Sequence, residues 1–350
     1  KVTACGTLVT LHAVDAPIKD VCAQIEEQTG VHVQVGDGGR AGVKTVSFTA
    51  EDLPLMEAIK GLVDAVKTED GTFVAFQMAG VRNYWSMSGR MSAQGPFLVV
   101  AEEVSHVVDY RRAPGTEERF AVKVDVVADP SLRPTRIALQ VAGGAGGEAV
   151  DEHGMSLAPG KVEDLTRPND GHVYPSGVLF GGQTELLLAR PAGAGKLIHR
   201  LTGKVPMWVA DKVETFEFKK DGDETTKVID GMKTTMGLAK SKDREEWSVS
   251  FKVERPEGMS DEEWKQRDQL AAATRMWVDG SDGKRWESNG AGWSYGAKQR
   301  SGSMRYHPVR GGLRNDQVVG STEVGRGVVE VVVSEKRMEA AYTFEDLPLP

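Results

Sequence analysis

The sequence predicts a multidomain, β-rich chain: an α+β N-terminal domain made of a duplicated β-α-β unit, followed by two all-β, sandwich-like domains. Three observations predict it. Residues 9–25 reappear without a gap 37 positions later, as residues 46–62. From Gly95 onward, short stretches of alternating apolar and polar residues are punctuated by glycine and proline every 8–12 positions, the rhythm of antiparallel sandwiches. Phrases in the first half of that β text also return 124–128 positions later, as two copies of one domain would give.

The duplicated unit comes first. VTLHAVDAPIKDVCAQI (9–25) and VSFTAEDLPLMEAIKGL (46–62) both open with the period-2 alternation of a half-buried strand. Each then reaches Asp-x-Pro, at Asp15 to Pro17 and Asp52 to Pro54. We read this triplet as punctuation. The strand stops, the aspartate accepts bonds from the unpartnered N–H groups of a helix start, and proline presets φ where no N–H is needed. Beyond the proline the spacing becomes helical, with Ile18, Val21, Cys22 and Ile25 on one face and Leu55, Ala58, Ile59, Leu62 and Val63 on the other copy's. Gly30 fits a left-handed C-cap, and VHVQVG (31–36) and GTFVAFQMAG (71–80) return as strands. EDLPL occurs again at 345–349, where it is expected to end the last strand.

Residues 7–80 resemble the short N-terminal domain shared by secretins and TonB-dependent receptors, which carries two such β-α-β halves. That resemblance implies a periplasmic protein-interaction module without catalytic residues. The pore-forming part of a secretin and the signature of a transmembrane barrel are missing from the text, so channel or transporter function does not carry over. The pairing of that domain with β modules also resembles exported planctomycete-like proteins of unknown role.

In the β text, FAVKVDVVADP (120–130) echoes WSVSFKVERP (247–256), AVDEHGMSL (149–157) echoes WVDGSDGKRW (277–286), and VPMWVADKVETFEF (205–218) echoes VEVVVSEKRMEAAYTF (329–344). The expected domains are 1–94, 95–220 and 247–350, with the polar stretch 221–246 as linker or hairpin. Ser260 with Glu263 makes a capping box, so residues 260–273 should form a short helix inserted in the second β module.

Composition bounds function. The net charge of −8 argues against nucleic acid or an anionic membrane as main partner, and no apolar run reaches 18 residues. The chain begins at Lys1 rather than Met, which we read as a mature product whose signal peptide has been removed, or as a trimmed chain. Localisation is expected to be periplasmic or extracellular. Cys5 and Cys22 allow one disulfide, which would require an oxidising compartment; a plain core thiol at Cys22 is the competing reading.

Signatures of hydrolases, P-loops, zincins, thiol redox sites and dinucleotide folds are not present in the text. The seven histidines are dispersed, and GGAGGE (143–148) reads as a loop. We expect no enzyme, no cofactor and no metal. The acidic turns at 151–154, 221–224 and 279–283 read as Asx-Gly turns, with Ca²⁺ binding as the alternative. Five of the seven tryptophans fall within 247–293. Core packing is the expectation for most, while Trp286, Trp293 and Tyr295 are candidates for an exposed interaction or sugar-stacking surface. The sequence thus reads as a non-enzymatic exported structural protein acting through protein partners or self-assembly. A carbohydrate-binding protein is the alternative, and a hydrolase with an unrecognised site a more distant one.

Overall fold

Two aspartates, each the third residue from the end of its strand, set the geometry of the N-terminal region. The structure, a computed structural model, describes residues 6–35, 45–66, 76–79, 90–108, 118–129, 131–159, 171–172, 180–241, 246–308 and 321–349. Its first elements are β1 (Leu8–Pro17), α1 (Ile18–Thr29), β2 (His32–Val35), β3 (Thr45–Pro54), α2 (Leu55–Ala65) and β4 (Phe76–Ala79). β1 pairs antiparallel with β3, and β2 with β4. The two Asp-x-Pro triplets share one backbone: φ is 47° at Asp15 and 49° at Asp52. Pro17 and Pro54 have φ −56°, ψ 131° and φ −52°, ψ 135°.

The aspartates are not helix caps. Neither helix start receives a side-chain cap bond, and each strand runs on through its proline. Each aspartate instead sits in a β-bulge. Ala13 faces Phe48 while Ala16 faces Val46, and Val9 faces Leu53 while Leu11 faces Ala50, so each strand carries one extra residue. A bulge residue at positive φ suits aspartate better than most side chains. The Asp15 N–H donates to Ser47 Oγ at 3.0 Å, and that hydroxyl donates back to Asp15 Oδ1 at 3.2 Å. Asp52 and Thr10 repeat the exchange at 3.3 Å. Thr10 and Ser47 are the same position of the repeat.

Next come β5 (Arg90–Gln94), β6 (Phe97–Val108), β7 (Glu118–Ala128), β8 (Pro134–Ile137), β9 (Gln140–Ala142), β10 (Ala149–Asp151), β11 (Gly171–His172), β12 (Phe180–Ala189) and β13 (Leu197–Phe218). A five-stranded sheet runs β5-β6-β7-β12-β9. One face, with Phe120, Val122, Val124 and Val126 of β7, packs against Ile198, Leu201, Val205 and Met207 of β13. The other face carries Leu98, Val100 and Val127, which join the core of α1 and α2. Burying three such side chains contributes roughly 5–9 kcal/mol before entropy is counted. That outweighs the flanking bonds, in which Thr7 N–H and Oγ1 donate to the Asp129 carboxylate at 2.8 and 2.9 Å and Gly95 N–H donates to Glu57 at 2.6 Å. The α+β layer is therefore seated on the sheet mainly by apolar contact.

The remaining elements are β14 (Glu224–Ile229), β15 (Met232–Lys240), β16 (Trp247–Glu254), α3 (Asp261–Ala272), β17 (Arg275–Gly280), β18 (Glu287–Tyr295), β19 (Gln299–His307) and β20 (Val324–Pro348). A second five-stranded sheet runs β14-β15-β16-β19-β18. Within the 221–246 stretch, β14 and β15 form a hairpin over residues 224–240, turned by Asp230 (φ 47°) and Gly231 (φ 79°), the type I′ signature; residues 242–245 lie outside the described residues. α3 has the capping box that Ser260 and Glu263 announce.

The β modules repeat in part, although β9 pairs parallel with β12 while β18 pairs antiparallel with β19. β7 and β16 are each the third strand of their sheets. Leu157 N–H donates to Ala149 O at 2.8 Å and Trp286 N–H to Val278 O at 2.9 Å; Asp151 donates to Met155 O at 3.0 Å and Gly280 to Lys284 O at 2.8 Å. Both pairs are 129 positions apart. The compact units do not follow chain order, however: one is Lys1–Val209 with Arg337–Pro350, the other Ala210–Lys336. The cause is the length of β13 and β20, 22 and 25 residues. Ala340, Tyr342 and Phe344 of β20 lie in the first unit's core, and Phe216 and Phe218 of β13 in the second's. The third Asp-x-Pro behaves like the others, with Asp346 at φ 52°.

The bulge geometry yields a measurable expectation. Asp15→Val and Asp52→Val should each cost about 1–2 kcal/mol, because β-branched residues are strained in the left-handed region. Asp→Gly at the same positions should cost clearly less. Urea unfolding of the four variants checks this; equal losses for Val and Gly would show that the backbone is not the constraint.

Candidate functional site

The acidic turns are filled by the protein's own amides. Asp151 is fully buried. Its Oδ1 accepts the His153 and Met155 N–H groups at 2.9 and 2.7 Å, and its Oδ2 the Gly195 N–H at 2.7 Å. The bond from Gly195 is the largest of several that hold this carboxyl below its usual range. Glu152 accepts from Lys196 and Leu197 at 2.6 and 2.8 Å. Asp282 accepts from Lys284 and Ser321, Asp223 from Lys219 and Lys220, and Asp221 from Lys240. The bonds from His153 to Asp151 and from Lys284 to Asp282 are Asx turns; those from Gly195, Lys196, Leu197, Ser321 and Lys240 tie the acidic loops to distant segments. Among the described residues, no three His, Cys, Asp or Glu side chains group as metal ligands.

The aromatic candidates separate. Trp286 is 4% exposed and belongs to the core of the second unit, so it presents no face to a ligand. Trp293 is half-buried and packs on that same core. Its ring meets Phe251 edge-on, 5.9 Å between centroids at 65°. Gly302 opposite it makes the room, since a Cβ there would come within 2.6 Å of the Trp293 ring. The side chain of Tyr295 lies outside the described residues. Arg285 caps Trp277 at 4.4 Å. The expected core packing holds for Trp264, and at Trp286 burial overturns the expectation of an exposed surface. Cys5 also lies outside the described residues; Cys22 is buried in the α1 face, and burial pushes its thiol up to about 11.

Two features escaped the sequence reading. The first is the outer edge of the second sheet. β14 pairs with β15 alone among the described strands, and Val228 stands 73% exposed on it. Lys227, the strand's one basic residue, is turned onto the Phe216 ring, 4.9 Å from its centroid. Both line a cavity of about 310 Å³ with Glu217, Phe218, Asp223, Glu224 and Thr225. The alternation of ETTKVI marks a strand, but whether a strand is central or terminal is a matter of topology. The second feature is the carboxyl pair Asp125 and Glu102 on the outer face of the first sheet. Asp125 is 3% exposed. Burial, then the hydrogen bond and charge of Glu102, push its carboxyl up to about 7.

No protein-family model, no curated protein and no solved structure matches the chain.

The placement of Trp293 gives a direct check. Trp293→Ala should lower stability by about 2 kcal/mol, less than the 3–5 typical of a fully buried aromatic, in chemical denaturation. A variant as stable as the parent would return Trp293 to the surface and reopen the sugar-stacking role.

Proposed function

We propose that this chain is a non-enzymatic structural and interaction protein of the periplasm or cell exterior, working through protein–protein contacts and self-associating through an open sheet edge. The observation that carries the reading is β14: a terminal strand with an apolar side chain 73% exposed one residue from its end. Edge strands commonly defend themselves with outward charges, lysine above all. Here the lysine is engaged with Phe216, while Glu224, Thr226 and Val228 share the exposed face. Such an edge accepts a further strand through main-chain hydrogen bonds. The resemblance of residues 7–80 to an interaction domain supports the same reading, as do acidic side chains engaged by backbone amides in the acidic loops.

Light scattering coupled to size exclusion tests it. The mass should rise above the 37.9 kDa of one chain as concentration increases. Val228→Lys should return it to one chain without lowering the melting temperature. A parent protein that stays at 37.9 kDa across the whole range refutes association through this edge.

A further inference from the structure

The Asp125–Glu102 pair sits where the α+β layer meets the first sheet. Asp125 stands directly opposite Val100 in the β6–β7 ladder, and two residues along β7 on the same face is Val127. Val100 and Val127 both lie in the core of α1 and α2. Glu102 reaches Asp125 because β6 bulges between Ala101 and Glu103, an extra residue that leaves Glu102 outside the regular ladder. Burial first, then the neighbouring Glu102 carboxyl, favours the protonated form of Asp125, while Gln183 and the Lys123 charge act more weakly the other way. Asp125 Oδ1 is shut off from solvent and has no partner.

The surrounding charges do not neutralise the pair. On β7, Lys123 faces Glu103 on one side and Glu185 on the other. On α2, Glu57 holds the Gly95 N–H, and Lys60 is paired with Asp64 at 2.5 Å. Arg90 of β5 stands opposite Ala101, exposed. A metal ion is a poor substitute: Oδ1 is inaccessible, and no third acidic, His or Cys ligand completes a group among the described residues. A proton fits. The repeated module makes the contrast plain. Counting by core alternation, Phe120 corresponds to Trp247 and Asp125 to Lys252, which pairs with Glu254 at 2.6 Å while Lys233 holds the same carboxylate at 3.2 Å. There the position is a cation, and the carboxylate beside it is held by two lysines; in the first module the position is a carboxylate beside another carboxylate.

We propose that Asp125 and Glu102 form a proton-held latch beneath the α+β layer: one shared proton keeps the seam of α2 on Leu98, Val100 and Val127 closed, and its loss sets two carboxylates against each other and loosens that seam. The sign follows from linkage. Asp125 binds its proton more tightly closed than open, so stability is fullest at acid pH. It is lost as pH rises from about 4, the ordinary aspartate value, to about 7, and is level above that. The latch is independent of edge association through β14.

Hydrogen–deuterium exchange of the full chain, corrected for intrinsic exchange rates, tests the latch between pH 5 and 8. The opening constant of α2 in the parent, relative to Asp125→Asn, should rise about tenfold per pH unit up to about pH 7 and then flatten. Glu102→Gln, at an exposed position, should end the rise at a lower pH than in the parent, because burial of Asp125, the larger cause, remains; an unchanged profile would remove Glu102 from the latch. β16 in the other unit should show none. If the parent follows Asp125→Asn across the range, or β16 opens in parallel with α2, the latch is wrong.

Discussion

The N-terminal region depends on a change of parity inside two strands. Side chains of a strand alternate between faces, so any extra residue moves everything after it to the other side. In β1 the buried positions are Val9, Leu11 and Ala13; beyond Asp15 the next is Ile18, at the start of α1. In β3 they are Val46 and Ala50, and beyond Asp52 the next is Leu55. Odd becomes even in one copy and even becomes odd in the other. The bulge lets a strand and the helix that follows it bury their apolar faces in one core without an intervening loop. The exchange of bonds with Ser47 and Thr10 holds the left-handed residue in place.

Much of this was legible in the sequence, and the part that was not has a physical reason. The 37-residue repeat and the switch from period 2 to helical spacing locate both strands and both helices, since burial enforces those periods. The role of the aspartate is not legible in the sequence because Asp in Asp-x-Pro serves equally as a helix cap and as a tolerant residue at positive φ; only the register of β1 on β3 decides between them. The capping box of α3 was readable because its two side chains satisfy each other locally.

Long-range features resisted for a related reason. The division at 220 and 247 followed chain order. β13 and β20, however, are long enough to supply both cores, and an uninterrupted alternation carries no mark of where one core ends. The tryptophan cluster failed as a guide to exposure because Trp286 and Trp293 are placed by what lies opposite, including a glycine at 302 that leaves room for a ring. The Asp125–Glu102 contact needs a bulge in β6 that AEEVS does not announce.

The two modules diverge most on their outer sheet faces. Both keep the inward alternation: Phe120, Val122, Val124 and Val126 in β7, Trp247, Val249, Phe251 and Val253 in β16. Outward, the first module places Leu98, Val100 and Val127 under the α+β layer. The second places Ser250, Lys252 and Glu254 on β16 and Ser301, Ser303 and Arg305 on β19, side chains short or charged enough to face water. A duplicated core constrained by packing leaves only outer faces and edges free to differ. The same sandwich therefore serves in one copy as a seat for another layer. In the other its face stays polar, and the open edge at β14 is where an apolar side chain meets solvent. If this chain acts by contact, the division of labour between seat and edge follows from which surfaces the repeat was free to change.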